Sequence, residues 1–245
     1  VGVDPVVLEP IADRAWPARE RSTVGGWRLN AADGWSMRSN ACWPLSAPDR
    51  DVEAAIDAAE AWLSARGLPP RFKLTDGATA PDDLSERLAR RGYADCKKTL
   101  VMVGPALGRL DPDVTLSAAP NDRFEAVFTA SAGGNLADAR ERLETLARIP
   151  APARFAQLDI DGEPAALGAS AVEGAWAGIF GMRTAPEHRR KGLARRVLGA
   201  LLVEVAALGA RQAYLQVEAE NAPAIALYEL EGFKPAYSYR YWVKP

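Results

Sequence analysis

Apolar residues along this chain recur at two spacings. They fall at every second position over short runs and at every third or fourth over longer ones, which predict strands and helices respectively. In the N-terminal half, residues 11–19 read as a short helix limited by Pro10 and Pro17. Residues 27–30 and 35–43 read as strands, with Asp33-Gly34 as a hairpin signal between them. Residues 52–65 place Val52, Ile56, Ala59 and Leu63 on one helical face, with Asp49, Asp51 and Glu53 at the start and Gly67 as the stop. A strand at 71–75, a helix from Asp82 or Asp83 to Arg91 closed by Gly92, and a strand at 99–103 complete this half. Residues 104–112 have the glycine and proline content of a linker.

The C-terminal half reads as a strand at 114–118 and helices at 124–132 and 137–149 around Gly133-Gly134. Strands at 154–160 and 165–172 flank Asp161-Gly162, and a longer strand spans 175–184. A helix with Leu193, Val197, Leu201, Val205 and Leu208 on one face ends at Gly209. A strand at 214–217, a helix with Pro223 in its first turn that stops at Gly232, and one or two strands over 233–243 close the chain. There is also an internal echo. Helix, glycine, strand, helix, glycine, strand occurs twice, with Gly209 lying 142 residues after Gly67 and Gly232 lying 140 after Gly92.

Composition narrows the function. Of 245 residues, 48% are hydrophobic and 25% charged, and the net charge is −2, which argues against a dedicated nucleic-acid binder. Cys42, Cys96 and the single histidine, His188, offer no metal-ligand spacing. Two free thiols suit a reducing cytoplasm. No apolar run approaches the ~18 residues of a membrane span, and no signal-peptide pattern is visible.

One stretch breaks the local charge pattern. Glu187-His188-Arg189-Arg190-Lys191-Gly192-Leu193-Ala194-Arg195-Arg196 opens a helix whose first turn carries only positive charge. The positive end of a helix dipole favours acids, so this arrangement expects an anion. Free N–H groups at a helix start cradle phosphate, and Gly192 permits close approach. The spacing is neither G-x-x-x-x-G-K-[ST] nor G-x-G-x-x-G.

The run Arg189-x-x-Gly192-x-Ala194 resembles the R/Q-x-x-G-x-G/A signature of the GCN5-related N-acetyltransferases. Ile179–Pro186 resembles the central strand of that family, Leu215–Ala224 its strand and asparagine turn, and Ala226–Phe233 its closing helix, all in the family's order. The resemblance covers residues 112–245. It implies an α/β chain with a mixed, mostly antiparallel central sheet flanked by helices, the acyl-CoA N-acyltransferase fold, with a catalytic domain at 113–245, a linker at 105–112 and, through the internal echo, a degenerate acetyltransferase-like domain at 1–104. In that domain Leu88 stands where Tyr228 stands in the other, and the equivalent helix start is acidic.

The resemblance also implies transfer of an acetyl group from acetyl-CoA to a primary amine of a small molecule or peptide, without a metal. Arg189, Arg190, Lys191, Gly192, Leu193, Ala194 and Arg195 would hold the pyrophosphate. The backbone of Met182, Arg183 and Thr184 would pair with the pantetheine arm, the Met182 N–H would serve the oxyanion, and Asn221 would contact the arm. Tyr228 would be the general acid. Glu173, Glu218, Glu220 or water remain open as the base. A non-catalytic acyl-CoA-binding module is the alternative. No nucleic-acid or membrane partner is expected, and monomer and homodimer both remain open.

Overall fold

The computed structural model of the protein describes residues 3–244. In chain order the elements are α1 (Pro5–Ala15), β1 (Glu20–Val24), β2 (Trp27–Ala31), β3 (Ala41–Pro44), α2 (Val52–Ser64), β4 (Arg71–Thr75), α3 (Leu84–Arg90) and β5 (Ala94–Pro105). They continue with β6 (Val114–Ser117), α4 (Asp122–Ala130), α5 (Leu136–Ala147), β7 (Ala153–Ile160), β8 (Glu163–Glu173) and β9 (Trp176–Thr184). The last are α6 (Leu193–Ala207), β10 (Gln212–Glu218), α7 (Ala222–Leu230) and β11 (Lys234–Val243).

These elements form two compact units. The first takes the chain up to Val101, Glu218–Glu220 and the residues from Pro235 onward. The second takes Met102–Val217 and Asn221–Lys234. This division departs from the cut expected along the chain, 1–104 against 113–245, because β11 lies with the first unit. Nor is 105–112 a free linker. The Ala106 N–H donates to the Arg211 carbonyl (3.1 Å), and the Arg109 N–H to the Gly199 carbonyl on α6 (3.2 Å).

The first unit orders its strands β1-β2-β3-β4-β11. The β1–β2, β2–β3 and β4–β11 pairs are antiparallel, and β3–β4 is parallel with Cys42 opposite Phe72. Its core gathers Trp27, Leu29, Ile56, Phe72, Leu84, Leu88 and Tyr93. The segment 35–43 is not one strand. A 3-10 turn at Met37–Ser39 precedes β3, and Asn40 stitches the connection: its Oδ1 accepts from the Ala32 and Gly34 N–H groups (2.7 and 3.0 Å) while Nδ2 donates to the Ser36 carbonyl (2.8 Å). The first helix starts at Pro5 under an Asp4 cap, earlier than the proline positions suggest.

A charged pair lies inside this unit. Lys73 and Glu9 are both fully buried and ion-paired. The Lys73 ammonium stands 3.7 Å from the Trp43 ring centroid and 4.1 Å from that of Tyr239, and the Tyr237 hydroxyl donates to Glu9 (2.9 Å). A buried ion is tolerated only when paired and hydrogen-bonded, and aromatic faces stabilise the cation further.

The second unit orders its strands β10-β9-β8-β7-β6. The β6–β7, β7–β8 and β8–β9 pairs are antiparallel and β9–β10 is parallel. Its sheet is therefore mixed and mostly antiparallel, as expected. Successive strand residues alternate between faces. Phe155 meets Phe124 of α4 edge-on at 5.5 Å between centroids. A methyl added at Gly168, opposite the next β7 residue Ala156, would instead meet Leu201 and Val197 of α6. So α4 and α5 cover one face and α6 the other. Among the described residues no helix is long and apolar enough to cross a membrane.

Candidate acyl-CoA site

The site begins where two parallel strands part. Strands β9 and β10 pair from Trp176↔Gln212 to Ile179↔Leu215. Past that point β9 runs on to Thr184 and β10 to Glu218 without further register, so one backbone edge of β9 is left without a strand partner.

A β-bulge sharpens the parting. On the other side of β9, Ala169 faces Phe180 and Leu167 faces Arg183, so the single residue Gly168 stands opposite both Gly181 and Met182. A bulge bends its strand and frees backbone groups from the ladder. Gly181 takes φ +60°, where a Cβ is strained. Gly168 has no room for a side chain because the Met182 sulfur would lie 2.4 Å from its Cβ. Met182 thus packs toward α6 while its backbone lies at the bulge.

The basic turn follows. A 3-10 turn, Pro186–His188, leads into Arg189 and then Arg190 with φ 62°. Gly192 is the N-cap of α6 at φ 77° and supplies no side-chain acceptor. Helices α1, α2, α4, α5 and α7 are each capped by their own Asp or Asn side chain. The first N–H groups of α6 therefore stay available to an outside acceptor.

Charge around this turn is less one-sided than the sequence suggests. Arg195 is ion-paired with Glu231. Arg196 is held by Asp111 (2.6 Å) and Asp113 (2.5 Å), which pulls the Asp111 carboxyl below its ordinary pKa. Arg189, Arg190 and Lys191 make no ion pair among the described residues, and Lys191 Nζ lies 3.4 Å from His188 Nδ1. Arg195 and Arg196 are thus engaged by the protein's own acids.

In the first unit, the Asp51 carboxylate at the start of α2 accepts from the Glu53 and Ala54 N–H groups (2.9 and 3.3 Å), and Leu88 is fully buried in the core.

Tyr228 sits on α7 in the second unit, 8% exposed, with its ring 6.2 Å from that of Phe233. Its hydroxyl makes no hydrogen bond among the described residues. Burial alone pushes its pKa up to about 12, so it stays protonated at neutral pH. Asn221 caps α7, accepting from the Ala224 N–H at 3.3 Å. Of the candidate bases, Glu173 faces Trp176 at the start of β9. At about 3.3 Å per residue that is some 20 Å from the bulge and basic turn, too far to take a proton there.

The structure adds one feature that the sequence reading missed. The Arg183 side chain leaves β9 on the face opposite Met182 and lies 5.0 Å over the Phe128 ring of α4. The isolated Gly181 inside a strand pattern was the available signal for the bulge. Nothing local marks the Arg183–Phe128 contact.

Comparison with known proteins matches this geometry. The family described as probable histone acetyltransferase Rv0428c C-terminal matches residues 6–242. The chain is 27% identical over 97% of both chains to a protein of Bacillus subtilis (strain 168) described as the uncharacterized N-acetyltransferase YobR. Its fold matches a GCN5-related N-acetyltransferase from Kribbella flavida with TM-score 0.72 at 18% identity, covering 100% of this chain and 96% of that one. It also matches a tandem protein of the same family from the clavulanic acid biosynthesis pathway, with TM-score 0.63 at 17% identity over 89% and 78% of the two chains. With a family match over nearly its whole length, the chain belongs to the family described as probable histone acetyltransferase Rv0428c C-terminal.

Proposed function

We propose that the second unit transfers an acetyl group from acetyl-CoA to a primary amine, and that the first unit binds no nucleotide. The observation that carries this reading is the uncapped start of α6, with Arg189, Arg190 and Lys191 unneutralised beside it, at the end of β9 where its backbone edge is open. The N–H groups of Lys191, Gly192, Leu193 and Ala194 and the side chains of Arg189, Arg190 and Lys191 hold the pyrophosphate, while the Arg195 N–H is already given to the Gly192 carbonyl (3.1 Å). The backbone of Met182, Arg183 and Thr184 receives the pantetheine arm as an added strand, and Asn221 contacts it beside its capping bond. The acid-capped start of α2 opposes an anion, which is why the first unit is assigned no such role.

In the transfer, the neutral amine nitrogen attacks the thioester carbon, forming the C–N bond. The Met182 N–H stabilises the charge that gathers on the carbonyl oxygen. As the C–S bond breaks, the departing sulfur accepts a hydrogen bond and then the proton of the Tyr228 hydroxyl, which solvent replaces. The surplus proton on nitrogen leaves to water. The mixed environment of Tyr228, buried but unpartnered, suits a donor that waits for an acceptor brought by the substrate.

The test is thiol release from acetyl-CoA measured against a panel of primary amines. Amine-dependent release with one acetylated product per thiol supports transfer. Tight binding of acetyl-CoA with no release from any amine leaves a non-catalytic acyl-CoA-binding module instead.

A further inference from the structure

Arg183 is a half-buried guanidinium with no carboxylate partner among the described residues. It lies over the Phe128 ring, on the face of β9 covered by α4 and α5, where Phe128 and Leu146 both approach Gly181 within 3.4 Å of where a Cβ would stand. The acid that acts on it through space, Asp138, is already occupied: it accepts from Arg142 Nε through both oxygens (2.9 and 2.8 Å). Burial, first of all, lowers the Arg183 pKa. Arg142 and Arg189 add to that by repulsion, and Asp138 opposes it only in part. A desolvated guanidinium among like charges favours any anion that enters.

That location is on the other side of β9 from Met182's packing and one residue along from the proposed oxyanion donor. We infer that Arg183 is a specificity-determining contact for an acyl acceptor that carries a carboxylate a few carbons from its amine, with the flat guanidinium stacked on Phe128 and its edge presented to that carboxylate. This rests on the transferase reading for the identity of the amine, but the anion site itself is a separate claim. Arginine's planar fork matches a carboxylate in two parallel hydrogen bonds, and stacking on an aromatic face holds the fork in one plane. Lysine supplies the charge without the fork.

The experiment compares glycine, β-alanine, 4-aminobutyrate and lysine with their carboxamides, by calorimetry on the full chain saturated with coenzyme A. The best carboxylate is expected to bind at least tenfold tighter than its amide. Arg183→Gln is expected to abolish that preference, and Arg183→Lys to reduce it by a smaller factor. Equal binding of each pair, no binding by any carboxylate, or a loss of acetyl-CoA affinity in the variants would overturn the inference. The last result would place Arg183 with the cofactor. Thiol release from the same pairs reports on transfer independently. Discrimination in binding without release keeps the anion site and removes transfer, whereas release without discrimination does the reverse.

Discussion

Tyr228→Phe separates a catalytic hydroxyl from a packed aromatic ring. The ring is buried and packs near Phe233, and phenylalanine keeps that contact. The hydroxyl makes no hydrogen bond within the chain among the described residues, so folding loses nothing by its removal. The hydroxyl is not sealed from solvent, so its removal is close to neutral for folding. The variant should therefore match the parent in stability to within ~1 kcal/mol, a change in Tm of no more than ~4 °C for a chain of this size. Activity, by contrast, falls. General acids contribute typically ~100- to 10,000-fold, and the local pKa decides where in that range Tyr228 falls. From a hydroxyl near pKa 12, full transfer of a proton to a thiolate of ordinary pKa, about 8.5, is uphill by roughly 5 kcal/mol. Tyr228 thus acts mainly by hydrogen bonding to the leaving sulfur, and the effect lies at the low end, a fall in kcat of about 100-fold. Calorimetric Tm, acetyl-CoA affinity by titration and kcat by thiol release are measured on one preparation. An unchanged kcat, or a fall in kcat that tracks a fall in Tm, would refute the role.

Two more predictions follow from buried ionisable groups. The raised pKa of Tyr228 means that the native chain holds this proton more tightly than the unfolded chain, where tyrosine titrates near ~10. Its contribution to stability is intact below pH ~10 and is lost as pH rises through about 12. Correspondingly, kcat should climb as the amine deprotonates and show no descending limb below pH ~11; a limb centred near 10 in the wild type would contradict the assigned environment. In the first unit, Lys73→Met leaves the Glu9 carboxylate buried without its partner. It should lower stability by about 3–5 kcal/mol, with most of that recovered in the Lys73→Met, Glu9→Gln pair. Thermal unfolding of the single and double variants checks this, and additive losses would rule out the pairing as the cause.

What the sequence made legible, and what it did not, divides by range. Elements with strong local patterns were readable. Strand β4 at Arg71–Thr75 and helix α2 declared themselves through alternation, a helical face and an Asp51 cap. Strand β1 did not, because four of its five residues, Glu20 to Thr23, are exposed and polar. Strand β5 was read too short because Asp95, Lys97 and Lys98 interrupt its apolar run. The basic motif was visible, but its true charge was not. Glu231 and Asp111 are 36 and 85 residues away from the arginines they hold, and no local pattern carries such a pairing. The same holds for β11, whose partner β4 lies in the other half of the chain. The bulge needed two glycines on different strands, Gly168 and Gly181, to be read together.

The central claim is that one diphosphate, and only one, is received at the start of α6. Calorimetric titration of the full chain with acetyl-CoA tests it most directly, in the wild type and in Arg189→Ala/Arg190→Ala/Lys191→Ala. One equivalent per chain is expected, with affinity falling as salt rises and by at least ~100-fold in the triple variant, a loss of about 2.8 kcal/mol that one or two hydrogen bonds to charged groups, at roughly 1.5–3 kcal/mol each, would already supply. No binding, an affinity indifferent to the three substitutions, or a second equivalent bound despite the acid-capped start of α2 would contradict it.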